Sequence, residues 1–304
     1  MRIVSLVPHA TELLFALGLG EEVVAVTHEC DHPPAALELP RVTRDVLKGD
    51  LSAGEIDQAV RERTLAGEAI YELDRRALAA LQPELIVTQA LCPVCAVSYE
   101  EVAALAGELP SCPRVIALDP HTLGETLTDV ATLARATGRE QRGKDLVAEI
   151  QARIARVSGA VAGRARPRVA ALEWLEPVYA AGHWTPELIE LAGGADVLGA
   201  AGGPSQTVSW DAVAAAEPEV VVVMPCGYDA PRAHEEAVCH AERLAGLTAR
   251  RIVAVNASAY FSRPGPRLID GLELLGQILH PGALEGAIGQ ALELELQGAV
   301  GCGH

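Results

Sequence analysis

Residues 139–161, REQRGKDLVAEIQARIARVSGAV, decide how the rest of the chain is read. Apolar residues recur at Leu146, Val147, Ile150, Ile154, Val157 and Val161, one stripe at helical spacing, with Glu149, Arg153 and Arg156 on other faces. A helix of this length runs about 35 Å, the width of a small domain. Taken alone it is an ordinary surface helix of a single α/β domain. Its flanks make it a strut, because the sequence before it and the sequence after it follow one plan twice.

The first half opens with a buried-strand pattern at residues 2–7. Pro8-His9 reads as a loop, a helix begins near Thr11 and Glu12, and Gly18 and Gly20 stop it. A second strand follows at 22–26, then the polar loop His28-Glu-Cys-Asp-His-Pro-Pro34. Residues 42–71 read as irregular, with a short helix at 55–62. A helix at 74–81, a strand at 84–88, a loop from Gln89 to Cys95, a helix at 98–106, a strand at 114–118 and a helix at 123–136 complete the half.

After the strut the plan restarts. A strand at 168–173 leads through a polar and aromatic loop, 174–184, into a helix at 186–191 stopped by Gly193-Gly194. VSWDAVAAAEPE at 208–219 parallels LDRRALAALQPE at 73–84, each followed by an apolar strand, and RIVAV at 251–255 parallels RVIAL at 114–118. Near-constant offsets in the same order point to two related halves; chance similarity among βα units is the competing explanation. Residues 283–304 read as a helix with a loose tail. The expected architecture is α/β: two Rossmann-like lobes with mainly parallel sheets (1–138 and 163–304), joined by one long rigid helix (139–162). Ligands of such sheets bind outside the carboxyl ends of the strands, so the loops there should face one cleft.

Composition narrows the partners. The 304 residues carry a formal net charge of -17, which argues against nucleic acid. No stretch approaches the roughly 18 apolar residues of a membrane span, so the chain is not expected to be membrane-embedded. The 7 cysteines are odd in number and scattered, which suits a reducing compartment or a metal or thiol site better than a disulfide framework. A strand pattern directly after Met1 leaves no room for a secretory signal, so the expected location is cytoplasmic as the sequence stands, and periplasmic or cell-surface if an N-terminal signal was trimmed.

Two chemistries compete for the loops. Cys92-Pro-Val-Cys95 is a CxxC pair that could chelate a soft metal or exchange disulfides. With Cys30 and nearby His28, His32 and His121 it would make a zinc or iron site, as a metallochaperone or an enzyme centre; two thiols packing a loop are the plain alternative. The other chemistry is a ligand wall. His9, His28, His32, His121 and His183 fall in predicted rim loops, and Trp174, Tyr179, Trp184, Tyr228, Tyr260 and Phe261 lie at strand ends of the second half in a chain with 3% aromatics. Solvated histidines and a core Trp174 are the corresponding plain readings. There is no GxSxG elbow, no GxGxxG after a strand, no P-loop and no HExxH, so the chain is not expected to be an enzyme.

Several motifs carry a family likeness: Ile3-Val-Ser-Leu-Val-Pro8 with Ala10-Thr-Glu-Leu13, Cys30-Asp-His-Pro-Pro34, Leu81-Gln-Pro-Glu-Leu-Ile-Val87, Ala216-Glu-Pro-Glu-Val220 and Phe261-Ser-Arg-Pro-Gly-Pro-Arg267. The chain resembles, over nearly its whole length, the class III periplasmic-type substrate-binding proteins for siderophores, haem and cobalamin, and most of all the cobalamin-binding members. The resemblance implies two α/β lobes on one long helix, a cobalamin or other corrinoid as ligand, and an ABC permease as partner. It makes His32 the counterpart of a lining Tyr, and places Tyr179 and the pair Tyr260 and Phe261 near the corrin. The relatives' first-lobe tryptophans have no counterpart, Gln89-Ala-Leu-Cys92 standing there instead, and a second-lobe tryptophan aligns near Ser205. Asp74 and Asp211 stand for the surface carboxylates that meet the permease. The ligand-binding set expected on both grounds is His9, His32, Gln89, Tyr179, His183, Trp184, Tyr228, Tyr260 and Phe261.

Overall fold

The computed structural model describes residues 1–47, 51, 53–66, 68–90, 99–286 and 290–295. The chain divides into two compact units, Met1–Pro120 with Gly124–Val147, and His121–Leu123 with the chain from Ala148 onward.

The first unit is built on β1 (Ile3–Ser5), α1 (Pro8–Ala16), β2 (Val23–Ala25), β3 (Thr43–Asp45), α2 (Ala53–Leu65), β4 (Tyr71–Leu73), α3 (Arg75–Leu81), β5 (Leu85–Gln89), α4 (Tyr99–Glu108), β6 (Arg114–Leu118) and α5 (Leu123–Ala136). Its main sheet is parallel in the order β2-β1-β5-β6. Every residue of β1 and β5 is buried, the signature of strands covered on both faces. The core joins Val4, Leu6, Ile86 and Leu78 to Val102, Leu105 and Leu109 of the α4 region.

The second unit comprises β7 (Arg168–Leu175), β8 (Val178–Ala180), α7 (Thr185–Leu191), β9 (Ala195–Asp196), β10 (Gln206–Thr207), α8 (Trp210–Ala215), β11 (Val220–Val223), α9 (Ala230–Cys239), α10 (Ala241–Ala245), β12 (Arg251–Val255), α11 (Ala257–Tyr260), α12 (Leu268–Leu279) and β13 (Ala291–Glu293). Its sheet runs β10-β8-β7-β11-β12-β13, with β9 beside β7. The centre, β7-β11-β12, is parallel like β1-β5-β6. The flanks β8, β10 and β13 are antiparallel, so this sheet is mixed.

The long helix is present as α6, Glu140–Val161, and is shared between the units. Leu146, Ile150, Val157 and Val161 of the expected stripe are buried. Arg142 Nε donates to Ala16 O at 3.0 Å in the first unit. In the second, Arg153 forks onto Glu273 at 2.9 and 2.7 Å, and Arg156 reaches the same carboxylate.

Several local expectations are corrected. Pro8 starts α1 instead of a loop, because proline lacks the amide that a first helical residue leaves unused; His9 is therefore a buried helical residue. Gln89 is the last residue of β5, not a loop residue. In the stretch 42–71 the expected short helix is present as the longer α2, but β3 is a strand and not irregular, pairing antiparallel with β4 with Thr43 opposite Leu73. The loop expected at 174–184 is largely a hairpin, β7 turning at Glu176-Pro177 into β8 with Trp174 opposite Tyr179. In the final segment β13 stands where a helix was expected, and it pairs with β12.

Candidate functional site

In the first unit, the loops after β1 and β2 hold a chain of buried hydroxyls around one thiol. Thr11 Oγ1 donates to Ser5 Oγ at 2.8 Å, and Cys30 Sγ lies 3.1 Å from Thr11 Oγ1 and 3.3 Å from Thr27 Oγ1. Arg41 closes the loop by donating to the carbonyls of Thr27 and Cys30 at 2.6 and 2.7 Å. Cys30 is buried with hydroxyl partners, an arrangement that packs a loop. His28 Nδ1 bonds Thr43 Oγ1 at 2.7 Å and its ring packs on Tyr71, tying the loop to β3 and β4. His32 is half-buried and Gln89 buried. Cys92 and Cys95 lie outside the described residues. Among the described residues no group of three or more His, Cys, Asp or Glu side chains is arranged to hold a metal ion. The zinc or iron reading has no support here. Cys239, moreover, is disulfide-bonded, in contrast to the reducing-compartment expectation.

The second unit gathers more of the predicted residues. At the carboxyl ends of β7, β11 and β12, Glu173, Trp174, Tyr179, His183, Tyr260, Ser262 and Arg263 are half-buried. Beneath them lie Trp184, Tyr228 and Phe261, which are 5%, 4% and 3% exposed. Those three were expected to line a ligand, and in the ligand-free structure they are buried. Trp184 Nε1 donates to Phe261 O at 2.8 Å, and Trp174 packs edge-on against Tyr228. Trp174 Nε1 is buried with no hydrogen-bond partner among the described residues, a donor left for something else.

His183 occupies a tight turn, with φ 52°. Its ring stacks on His121 at 5.7 Å between centroids and lies 5.5 Å from the Trp184 ring. Burial and the neighbouring His121 charge lower its pKa, favouring the neutral imidazole. Beside it, Glu173 accepts a hydrogen bond from Ser205 Oγ, and the nearby Gly182 amide also favours its charged form. Burial outweighs those two donors and pushes its carboxyl up to about 7. The sequence reading missed Glu173, for a single acid at a strand end carries no pattern.

The expected partner-docking pair, Asp74 and Asp211, stands at the starts of α3 and α8. Asp74 caps α3 by accepting from Ala77 N at 2.9 Å, and Ser209 caps α8 by accepting from Ala212 N at 3.1 Å. Both helices end on a left-handed residue, Gln82 and Glu217, before proline. The matching offset is thus 135 (74 to 209, 82 to 217), under which Asp211 corresponds to Arg76. Both Arg76 and Asp211 are exposed.

Residues 3–251 match the periplasmic binding protein family. The chain belongs to that family. Among its relatives, the vitamin B12-binding protein of Vibrio cholerae serotype O1 is 26% identical over 274 residues, covering 90% of this chain and 86% of the relative. The vitamin B12-binding protein of Photorhabdus laumondii is 25% identical over 292 residues, with coverage of 92% and 88%. The crystal structure of the periplasmic vitamin B12 binding protein BtuF of Vibrio cholerae is similar at a TM-score of 0.65 and 25% identity, covering 91% of this chain and 96% of that one. A periplasmic heme binding protein from Pseudomonas aeruginosa reaches 0.71 at 20% identity, with 99% of each chain covered, a likeness of fold. Membership of this family makes the two-unit α/β architecture and a ligand-binding role plain features of the chain. No helix among the described residues is long and apolar enough to cross a membrane.

Proposed function

We propose that this protein binds a corrinoid of the cobalamin type, or a closely related metal chelate, without catalysing its conversion, and hands it to an ABC transporter. The observation that carries the reading is the likeness to vitamin B12-binding relatives over 90% of the chain. The second unit's strand ends support it: half-buried rings of Trp174, Tyr179 and Tyr260 offer apolar faces, and half-buried His183 offers a polar contact. In the first unit His32 is half-buried, whereas His9 and Gln89 are enclosed. Asp74 and Asp211 are both exposed for a permease, and Asp74 also caps its own helix through Oδ1. The family's name favours a site of action outside the cytoplasm, and nothing further supports the cytoplasmic expectation.

The test is direct. Purified protein is titrated with cyanocobalamin, dicyanocobinamide and haemin, following the absorbance bands and the heat. Saturable one-to-one binding of a corrinoid is expected. Neither heat nor spectral change with any of the three would overturn the reading, and haemin alone binding would replace the corrinoid with a porphyrin.

A further inference from the structure

We propose that Glu173 is the positioning residue for His183, acting through Gly182 and Ser205. The importance of His183 to ligand rests on the function proposed above; the geometry stands apart from it. The β7–β8 register shifts between Leu172 and Trp174, a bulge centred on Glu173. Bulges re-aim a side chain out of the strand's alternation. Here the carboxyl is bonded to the Ser205 hydroxyl of the neighbouring loop, with the amide immediately before His183 also favouring its charge.

That loop is already laced to His183. His183 N donates to Gly203 O at 2.5 Å, and Gly202 N donates to His183 O at 2.9 Å. Gly182 has no room for a side chain, since a Cβ would overlap Ser205 N and the Gly203 carbonyl. Cys226 N joins the cluster by donating to Glu173 O at 3.2 Å. On the other side, Trp184 is pinned by its bond to Phe261. A non-glycine residue keeps a positive φ only where its surroundings over-determine it. The Glu173 carboxyl is an ionisable member of the set around the Ala181–Gly182 peptide and the Ser205 loop beside His183. Removing it frees an amide and a hydroxyl together, and the imidazole between His121 and Trp184 loses its fixed seat.

The measurement is made on the His183 ring, by NMR of ligand-free protein, with His183→Gln assigning the signal. In the wild type its Cε1–Hε1 resonance carries a ring-current displacement from Trp184. Glu173→Ala should lose most of that displacement, while Glu173→Gln, which keeps a carbonyl acceptor, should retain it. Should Glu173→Ala not fold, Ser205→Ala carries the test and must shift the resonance part of the way. A second arm titrates cyanocobalamin, dicyanocobinamide and haemin: the probe that the wild type binds should bind Glu173→Ala about tenfold more weakly, the worth of one hydrogen bond to a charged group. An unmoved His183 resonance in folded Glu173→Ala, or in Ser205→Ala if that variant stands in, overturns the proposal. If no probe binds the wild type, the functional reading fails and the ring measurement still decides the positioning role.

Discussion

Glu173 should give the second unit a distinctive pH dependence. Burial lifts its carboxyl from 4.5 to about 7 on folding. The folded protein then binds this proton more tightly than the unfolded chain, so stability falls as pH rises from about 4.5 to about 7. Below that window the penalty is absent; above it the penalty is complete. The shift corresponds to at most ~3 kcal/mol, and solvent reaching a half-buried side chain reduces this to ~1–2 kcal/mol. Glu173→Gln removes the ionisation and leaves one carbonyl for Ser205 or Gly182. For a unit of this size ~1 kcal/mol moves the melting temperature by about 2–4 °C. The variant should therefore gain about 2–8 °C on the wild type between pH 5 and pH 8, whatever constant offset its altered hydrogen bonding brings. Calorimetric or circular-dichroism melts of both proteins across that range measure it. A difference between the two that stays flat with pH, or grows toward acid, would refute the reasoning.

Further expectations concern packing and charge. Gly182→Ala should abolish the tight seat on Ser205 and cost several degrees in melting temperature, whereas Gly159→Ala, with open space around it in α6, should stabilise by about 0.5–1 kcal/mol in a denaturant titration. Trp184→Phe leaves part of the buried indole's space empty and strands the Phe261 carbonyl, at a cost of about 2–4 kcal/mol by the same titration. Glu273→Gln leaves Arg153 and Arg156 without their shared carboxylate and should destabilise by about 2–3 kcal/mol, less than a fully buried pair because both arginines reach solvent. Asp129, lifted to about 7 first by burial and then by Asp119 and Glu125, predicts that Asp129→Asn stabilises at pH 8 and not at pH 4.

The parallel cores and the long helix were legible in the sequence because burial on both faces writes continuous apolar runs, such as LIVTQ and VVVV, and a half-buried helix writes a stripe. Strands β6 and β12 and helix α5 coincide with their expected bounds. The β7–β8 hairpin was hidden because its turn, Glu176-Pro177, and its mixed polar and aromatic strands look like loop sequence. The β3–β4 pair was hidden because its strands are far apart in the chain, and no local pattern reports a distant partner. For the site, residue type announced the neighbourhood but not the side: Trp184, Tyr228 and Phe261 point into the unit's core while Trp174, Tyr179 and Tyr260 remain half-exposed. Glu173 was invisible because its significance lies in a bulge and two donors remote in sequence.

The helices α3 and α8 share a cap, a left-handed exit and a following proline, yet the second residue of one is Arg76 and of the other Asp211. Neither side chain has an ion-pair partner among the described residues. At the same first-turn position the acid of α8 therefore favours its own helix dipole, whereas the base of α3 opposes its dipole.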